Sequence, residues 1–187
     1  MSRRAFTIAL LGAESTGKTT LANAIGAALA ARGRRIAVVA EVLREFCDIQ
    51  RRTPREDEQA AIAAAQRQRI EDAAAAAEIV VADTSALMVA IYSELVFGDR
   101  SLYADALAAQ RGYDLTLVTA LDLPWQADGL QRDGEHVRAP VDALLRAALV
   151  GAGIDFATIG GAGPRRLAAA LQVIDVAIER ASRRPSP

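Results

Sequence analysis

The sequence predicts an α/β fold built on a five-stranded parallel sheet. Two observations carry that expectation. Five short apolar runs alternate with stretches of helical pattern along 187 residues, the order that builds a parallel sheet covered by helices. The first run leads directly into Gly12-Ala13-Glu14-Ser15-Thr16-Gly17-Lys18-Thr19, which fits G-x-x-x-x-G-K-[ST], the P-loop signature, without a gap. Strand, phosphate loop and helix start in that order specify a three-layer P-loop NTPase.

Each element has its own reason. Residues 5–11, AFTIALL, carry no charge and read as a central buried strand. Residues 19–32 read as a helix with Gly33 as its stop. The second strand, 35–41, ends in Glu41, and a helix starts over residues 42–46. Thr53 is the expected N-cap of a long helix, with Pro54 at its first position, acids in its first turn and an end near Ala77. The third strand, 78–83, ends in Asp83. Helices are expected over 85–97, closed by Gly98, and over 102–110, closed by Gly112. The fourth strand is 114–120, and residues 121–137 are polar, with glycine, proline and weak periodicity. Residues 140–150 read as a helix opened by Pro140, 154–159 as the fifth strand, 160–164 as a turn and 165–180 as the last helix.

The bulk composition fits one domain over residues 1–187, with a lid at about 122–138 and a frayed tail at 183–187. A chain of this length buries roughly 70% of its unfolded surface and needs no covalent staple. Net charge is −1, so no global basic field points to nucleic acid. The single cysteine, Cys47, excludes an internal disulfide framework and reads as a small buried residue. The first apolar run is too short for a membrane span, and no signal peptide is evident, so the expected location is the cytoplasm.

Ligands of parallel α/β sheets bind at the carboxyl ends of the strands. The loop, Glu41, Asp83, Asp122 and the 160–164 turn should therefore converge on one rim. The loop's N–H groups and the helix N-terminus behind them suit a phosphate chain. Lys18 can reach the β- and γ-phosphates of ATP, and the Thr19 hydroxyl can ligate Mg²⁺. Of 22 basic side chains, Lys18 is the only lysine and the other 21 are arginine. A compact ammonium, rather than a wide guanidinium fork, is what this loop accepts. Asp83 closes an apolar strand as a metal-orienting acid does, and it can equally cap the helix that follows. No glutamate follows it to activate water; Thr84 and Ser85 stand there instead. This favours transfer to a bound hydroxyl. Glu41 is the candidate general base, the alternative being an exposed ion pair at a helix start. Arg44, one turn on, can hold a polar or anionic substrate group. In the lid, Arg132 and Arg138 can neutralise phosphoryl charge. Trp125, the only tryptophan, suits stacking on a flat cationic ligand or anchoring the loop. His136 reads as a lid-surface residue, and no Cys/His cluster suggests zinc.

Several segments together, GAESTGKTTL, EVLREF, VVADTSALMVAIYSELVFG, YDLTLVTALDLPWQADGLQRDGEHVR and GGAGPRRL, resemble the ribosylnicotinamide kinase domain of NadR-type proteins, within the AAA-type P-loop ATPases. The resemblance extends over residues 6–178. It implies a nucleoside and nucleotide kinase-like fold with a short lid. It also implies transfer of the ATP γ-phosphate to the 5′-hydroxyl of nicotinamide riboside, with Mg²⁺, giving nicotinamide mononucleotide for NAD biosynthesis. The catalytic set it implies is Lys18, Glu41, Asp83, Arg132 and Arg138. The donor set is Gly12, Glu14, Ser15, Thr16, Gly17, Lys18, Thr19 and Thr20, with Gly163, Pro164 and Arg165 near adenine. The acceptor set is Glu41, Arg44, Asp83, Tyr92, Trp125 and Asp128, with Thr19 and Asp83 on the metal. The expected partner is a small-molecule nucleoside, not nucleic acid or membrane, and a homodimer is the assembly to look for. Departures stand at Gln131, where the family often has arginine, and at Ser85, where it has a second acid. The chain as given carries neither the adenylyltransferase nor the DNA-binding domain found in such proteins.

Overall fold

The computed structural model of the chain describes residues 4–126 and 134–183. It contains β1 (Phe6–Leu11), α1 (Lys18–Ala31), β2 (Ile36–Val39), α2 (Val42–Gln50), α3 (Glu56–Ala76), β3 (Ile79–Asp83), α4 (Ala86–Phe97), α5 (Tyr103–Arg111), β4 (Leu115–Thr119), α6 (Arg138–Gly151), β5 (Ala157–Ile159) and α7 (Gly163–Arg183). A 3-10 turn at Glu135–Val137 leads into α6. From residue 184 on, the expected frayed tail lies outside the described residues.

All strand pairs are parallel, in the order β2-β3-β1-β4-β5. β1 is central because it is apolar on both faces. Ile8 and Leu10 pack with Leu21, Ile25 and Leu29 of α1 and Ile174 of α7 on one side. Ala9 and Leu11 pack with α4 and with Val141, Leu145 and Leu149 of α6 on the other. The sheet is thus the middle of three layers. α4 is buried continuously from Ala86 to Ile91, as a helix apolar all round must be. α3 covers β2 and β3 through Ile70, Val39, Val80 and Ala82. Cys47 is buried and free.

Several boundaries differ from the expected ones. α3 is capped at Arg55, not Thr53. Glu58 accepts the Arg55 backbone N–H at 2.8 Å and holds the Arg52 guanidinium through both oxygens at 2.6 Å. These bonds hold the Glu58 carboxyl down at about 2. The acid three residues into the helix therefore selects the start. α6 begins two residues before Pro140, which sits in the first turn where its missing N–H has no intrahelical acceptor to lose. β5 has only three residues. Ile154, expected in the strand, instead donates its N–H to Leu149 O at 2.9 Å and closes α6, with Gly153 at φ +65° making the turn. α1 and α7 start one and two residues earlier than expected, and α4 starts one later because Ser85 is its cap.

The buried centre of β1 is the test of this packing. Leu10 has no exposed surface. Leu10→Ala should lower stability by about 2–5 kcal/mol in urea unfolding with an unchanged slope. A loss under about 1 kcal/mol would contradict a tightly filled layer between β1 and α1.

Candidate active site

The loop between β1 and α1 owes its shape to three contacts. Gly12 has φ +148°, and a Cβ there would lie 2.0 Å from the Thr119 hydroxyl oxygen, so β4 and the loop approach as closely as a bare backbone allows. The Thr119 hydroxyl donates to the Thr16 hydroxyl at 2.7 Å, and Thr16 donates in turn to the Ala13 carbonyl at 2.7 Å. Lys18 Nζ donates to the same Ala13 carbonyl at 2.9 Å, which keeps the ammonium within the curl of the loop. Gly17, at φ +73°, is the N-cap of α1. Ser15 through Thr20 then line a cradle at the helix N-terminus, with Arg44 on its far side. Backbone N–H groups, a helix dipole and two cations make this an anion site.

On one side of the cradle lies a narrow crevice. Gly12, Glu14, Ser15 and Lys18 form one wall; Glu41, Leu43, Arg44, Thr84, Met88 and Tyr92 form the rest. Seven residues singled out from sequence meet here. Glu41 is the N-cap residue of α2, and its side chain is only 12% exposed. It faces the Arg44 guanidinium at 3.7 Å, so it is not the exposed ion pair that was its alternative. Burial pushes its carboxyl above the ordinary value; Lys18 pulls it down, the buried Asp83 carboxylate pushes it up again, and Arg44 pulls it down. Asp83 is buried at the end of β3, and its Oδ1 has no hydrogen-bond partner among the described residues. The capping alternative for Asp83 is overturned. Ser85 caps α4 by accepting the Leu87 N–H at 3.2 Å. Its hydroxyl also donates to Gln110 Oε1 at 2.7 Å, in a buried chain that ends on Thr116.

On the other side of the cradle is a wider, more apolar cavity of about 720 Å³. Gly17, Thr20 and Leu21 face Leu123 and Pro124 across it, and Gly163, Pro164 and Arg166 close it. The Ser15 hydroxyl accepts the Gln126 N–H at 2.8 Å, which brings the start of the lid onto the phosphate loop. The crevice beside Glu41 holds only about 50 Å³. It therefore has to widen to take anything the size of a nucleoside, whereas the apolar cavity has room for a nucleobase as it stands. A further depression of about 520 Å³ opens at the amino ends of the strands, where Arg4, Arg34 and Arg35 face Glu78 and Asp114. It is at the wrong end of the sheet for the phosphate loop.

Three expected site residues lie elsewhere. Arg138 is buried at the first position of α6 and donates to the Leu123 carbonyl at 2.9 Å, so it braces the lid stem. Arg165 is exposed. Its neighbour Arg166 is the buried one, donating to the Gly161 and Ile159 carbonyls at 3.3 Å, with Asp122 at 3.8 Å. Burial lowers the Arg166 pKa. Trp125 is half-buried, and its indole N–H has no hydrogen-bond partner among the described residues. His136 is exposed. Asp128 and Arg132 lie outside the described residues.

One positioning residue was missed. Gln66, on α3 and 1% exposed, accepts the Val42 N–H at 2.8 Å and donates to the Ala40 carbonyl at 3.4 Å. It therefore clamps the chain on both sides of Glu41. In sequence it is one glutamine in a helix of alanines and polar residues, and only the packing of α3 on β2 gives it this role.

The AAA domain family matches residues 7–166. No curated protein matches the chain. Among solved structures, a NadR protein in complex with NR aligns with TM-score 0.73 at 20% identity, over 91% of this chain and 48% of that one. A NadR protein in complex with NAD and AMP-PNP aligns with TM-score 0.72 at 20% identity, over 98% of this chain and 51% of that one. The chain thus spans about half the length of these two structures, and the likeness establishes the five-stranded P-loop fold.

The close approach at Gly12 is directly testable. Gly12→Ala puts a methyl into the Thr119 hydroxyl and onto a backbone angle that alanine resists. Affinity for a non-hydrolysable ATP analogue should fall at least about tenfold in calorimetry, about 1.4 kcal/mol or more. Wild-type affinity would contradict the packing of β4 on the loop.

Proposed function

The chain belongs to the AAA domain family, and on that premise we propose that it is an ATP-dependent kinase that phosphorylates the 5′-hydroxyl of nicotinamide riboside. The observation that carries the transferase reading is the burial of Glu41 beside Lys18, on the side of the phosphate loop opposite the apolar cavity. A carboxyl held above its ordinary value in a crevice next to a phosphate site is poised to take a proton. The NadR structures with NR and with AMP-PNP support a nucleoside acceptor and an adenine-nucleotide donor.

In this reading the adenine occupies the apolar cavity by Pro164, and the triphosphate lies along the loop. Lys18 bonds the β- and γ-phosphate oxygens, leaving the Ala13 carbonyl. The hard oxygen donors Thr19 and Asp83 suit Mg²⁺, and the buried Asp83 Oδ1, without a hydrogen-bond partner among the described residues, is the feature that fits it. The ion supplies charge neutralisation at the phosphates when bound. Glu41 accepts the proton of the acceptor hydroxyl as its oxygen bonds to the γ-phosphorus. The bond from that phosphorus to the β,γ-bridging oxygen breaks, and ADP leaves. Arg44 borders both the cradle and the crevice, so it can follow the transferred charge from donor to product. Ser85, engaged by Gln110 where the family carries an acid, favours one second reading: a kinase of the same mechanism for another nucleoside.

A panel of nucleosides with ATP and Mg²⁺ should give ADP release that depends on nicotinamide riboside. Release at the same rate with no acceptor would point instead to a nucleotide-switched ATP-binding protein. Glu41→Gln should lose at least about a hundredfold in kcat with nearly unchanged ATP affinity, and retained turnover would remove Glu41 as the base.

The raised Glu41 pKa bears on turnover and on stability with opposite signs. Turnover needs the carboxylate, so kcat/KM should fall with acid through a pKa above the usual glutamate value. A raised carboxyl pKa adds stability below the unfolded pKa that is lost as pH rises through the folded one. Glu41→Gln should therefore melt higher than wild type at pH 7, with the difference fading in acid. A variant less stable at pH 7 would contradict the burial of charge.

A further inference from the structure

Thr84, directly after Asp83, combines three features that do not occur together at any other described residue. Its backbone has φ +81°, in the left-handed region, where a β-branched residue is a genuine outlier. Its residue is 2% exposed, and its hydroxyl is buried with no hydrogen-bond partner among the described residues. It lines the crevice that also holds Glu41, Lys18, Arg44 and Tyr92.

The two other non-glycine residues with positive φ have local reasons. Arg51 closes α2, and Ser15 belongs to the phosphate loop. Thr84 caps nothing, because Ser85 caps α4. Its N–H continues the sheet by donating to Leu10 O at 3.1 Å, a bond that glycine would make equally well and without strain. Stability alone would thus select glycine here. A buried, unpaired hydroxyl on a strained backbone, at the wall of a ligand crevice, is the pattern of a group kept for a ligand.

We propose that the Thr84 hydroxyl binds the acceptor, by a hydrogen bond to a sugar hydroxyl of the nucleoside held beside Glu41. A hydroxyl can donate and accept, which suits a sugar hydroxyl that does both. Thr84 is then a specificity-determining residue for ribose-bearing acceptors. The proposal rests on the kinase reading.

Three variants test it, with ATP and nicotinamide riboside as substrates. Thr84→Val keeps the branched shape and the strain but removes the hydroxyl. Acceptor KM should rise about tenfold, with affinity for a non-hydrolysable ATP analogue within twofold of wild type. Thr84→Ser should restore the wild-type acceptor KM. Thr84→Gly should raise acceptor KM as valine does while melting about 2–4 °C higher than wild type. Unchanged acceptor KM in Thr84→Val, with the wild type active, overturns the proposal and leaves the kinase reading standing. No nicotinamide riboside-dependent ADP release by the wild type overturns both.

Discussion

Two buried carboxylates and one ammonium share the carboxyl-terminal rim of the sheet, and the rest of the site is arranged around that balance. Glu41, two residues past β2, and Asp83, the last residue of β3, follow neighbouring strands, so the topology brings their charges together. Both are withdrawn from water, which makes their repulsion and their desolvation expensive. Lys18 offsets part of that cost from the phosphate loop and Arg44 from α2. The outcome is a carboxyl at Glu41 that holds its proton more readily than a glutamate in water, which is the property a general base near neutral pH needs.

Geometry separates the two substrates of the proposed reaction. The phosphate loop runs between an apolar cavity and a polar crevice, and its own contacts keep it in place. Gly12 admits β4, the Thr119–Thr16–Ala13 chain ties the loop to that strand, and Ser15 tethers the start of the lid. Behind the crevice, Gln66 holds the peptides flanking Glu41. A buried amide thus fixes the backbone from which the Glu41 side chain projects, and in the proposed reaction precise placement of this kind is a large part of what a phosphoryl-transfer site supplies.

The fold was legible because its signals are local. Apolar runs of strand length, the helical spacing between them and an unbroken phosphate-loop motif each follow from a few neighbouring residues. The errors came where two local signals competed. Thr53 and Pro54 look like a helix start, but the Glu58 carboxylate takes the backbone N–H of Arg55, and that bond prevails. Ile154 is a β-branched residue suited to a strand, but the end of α6 claims its N–H. At the site, the strand-end rule brought Glu41, Asp83 and the loop together correctly. It could not distinguish Arg165 from Arg166, because which of two adjacent arginines is buried depends on how α7 rests on the sheet.

Sequence alone determined the strand–loop–helix of the phosphate site, the parallel sheet and the acids at the ends of its strands. Those features depend on residue type and spacing, which survive without knowledge of the neighbours. Tertiary structure decided that both acids are withdrawn from water, that Ser85 and not Asp83 caps α4, that Gln66 clamps the peptides flanking Glu41 and that Thr84 stands strained at the crevice wall. Each of these is set by contacts between segments distant along the chain or by a backbone angle imposed by them. Burial and strain are properties of the packed molecule, and no single stretch of sequence carries them.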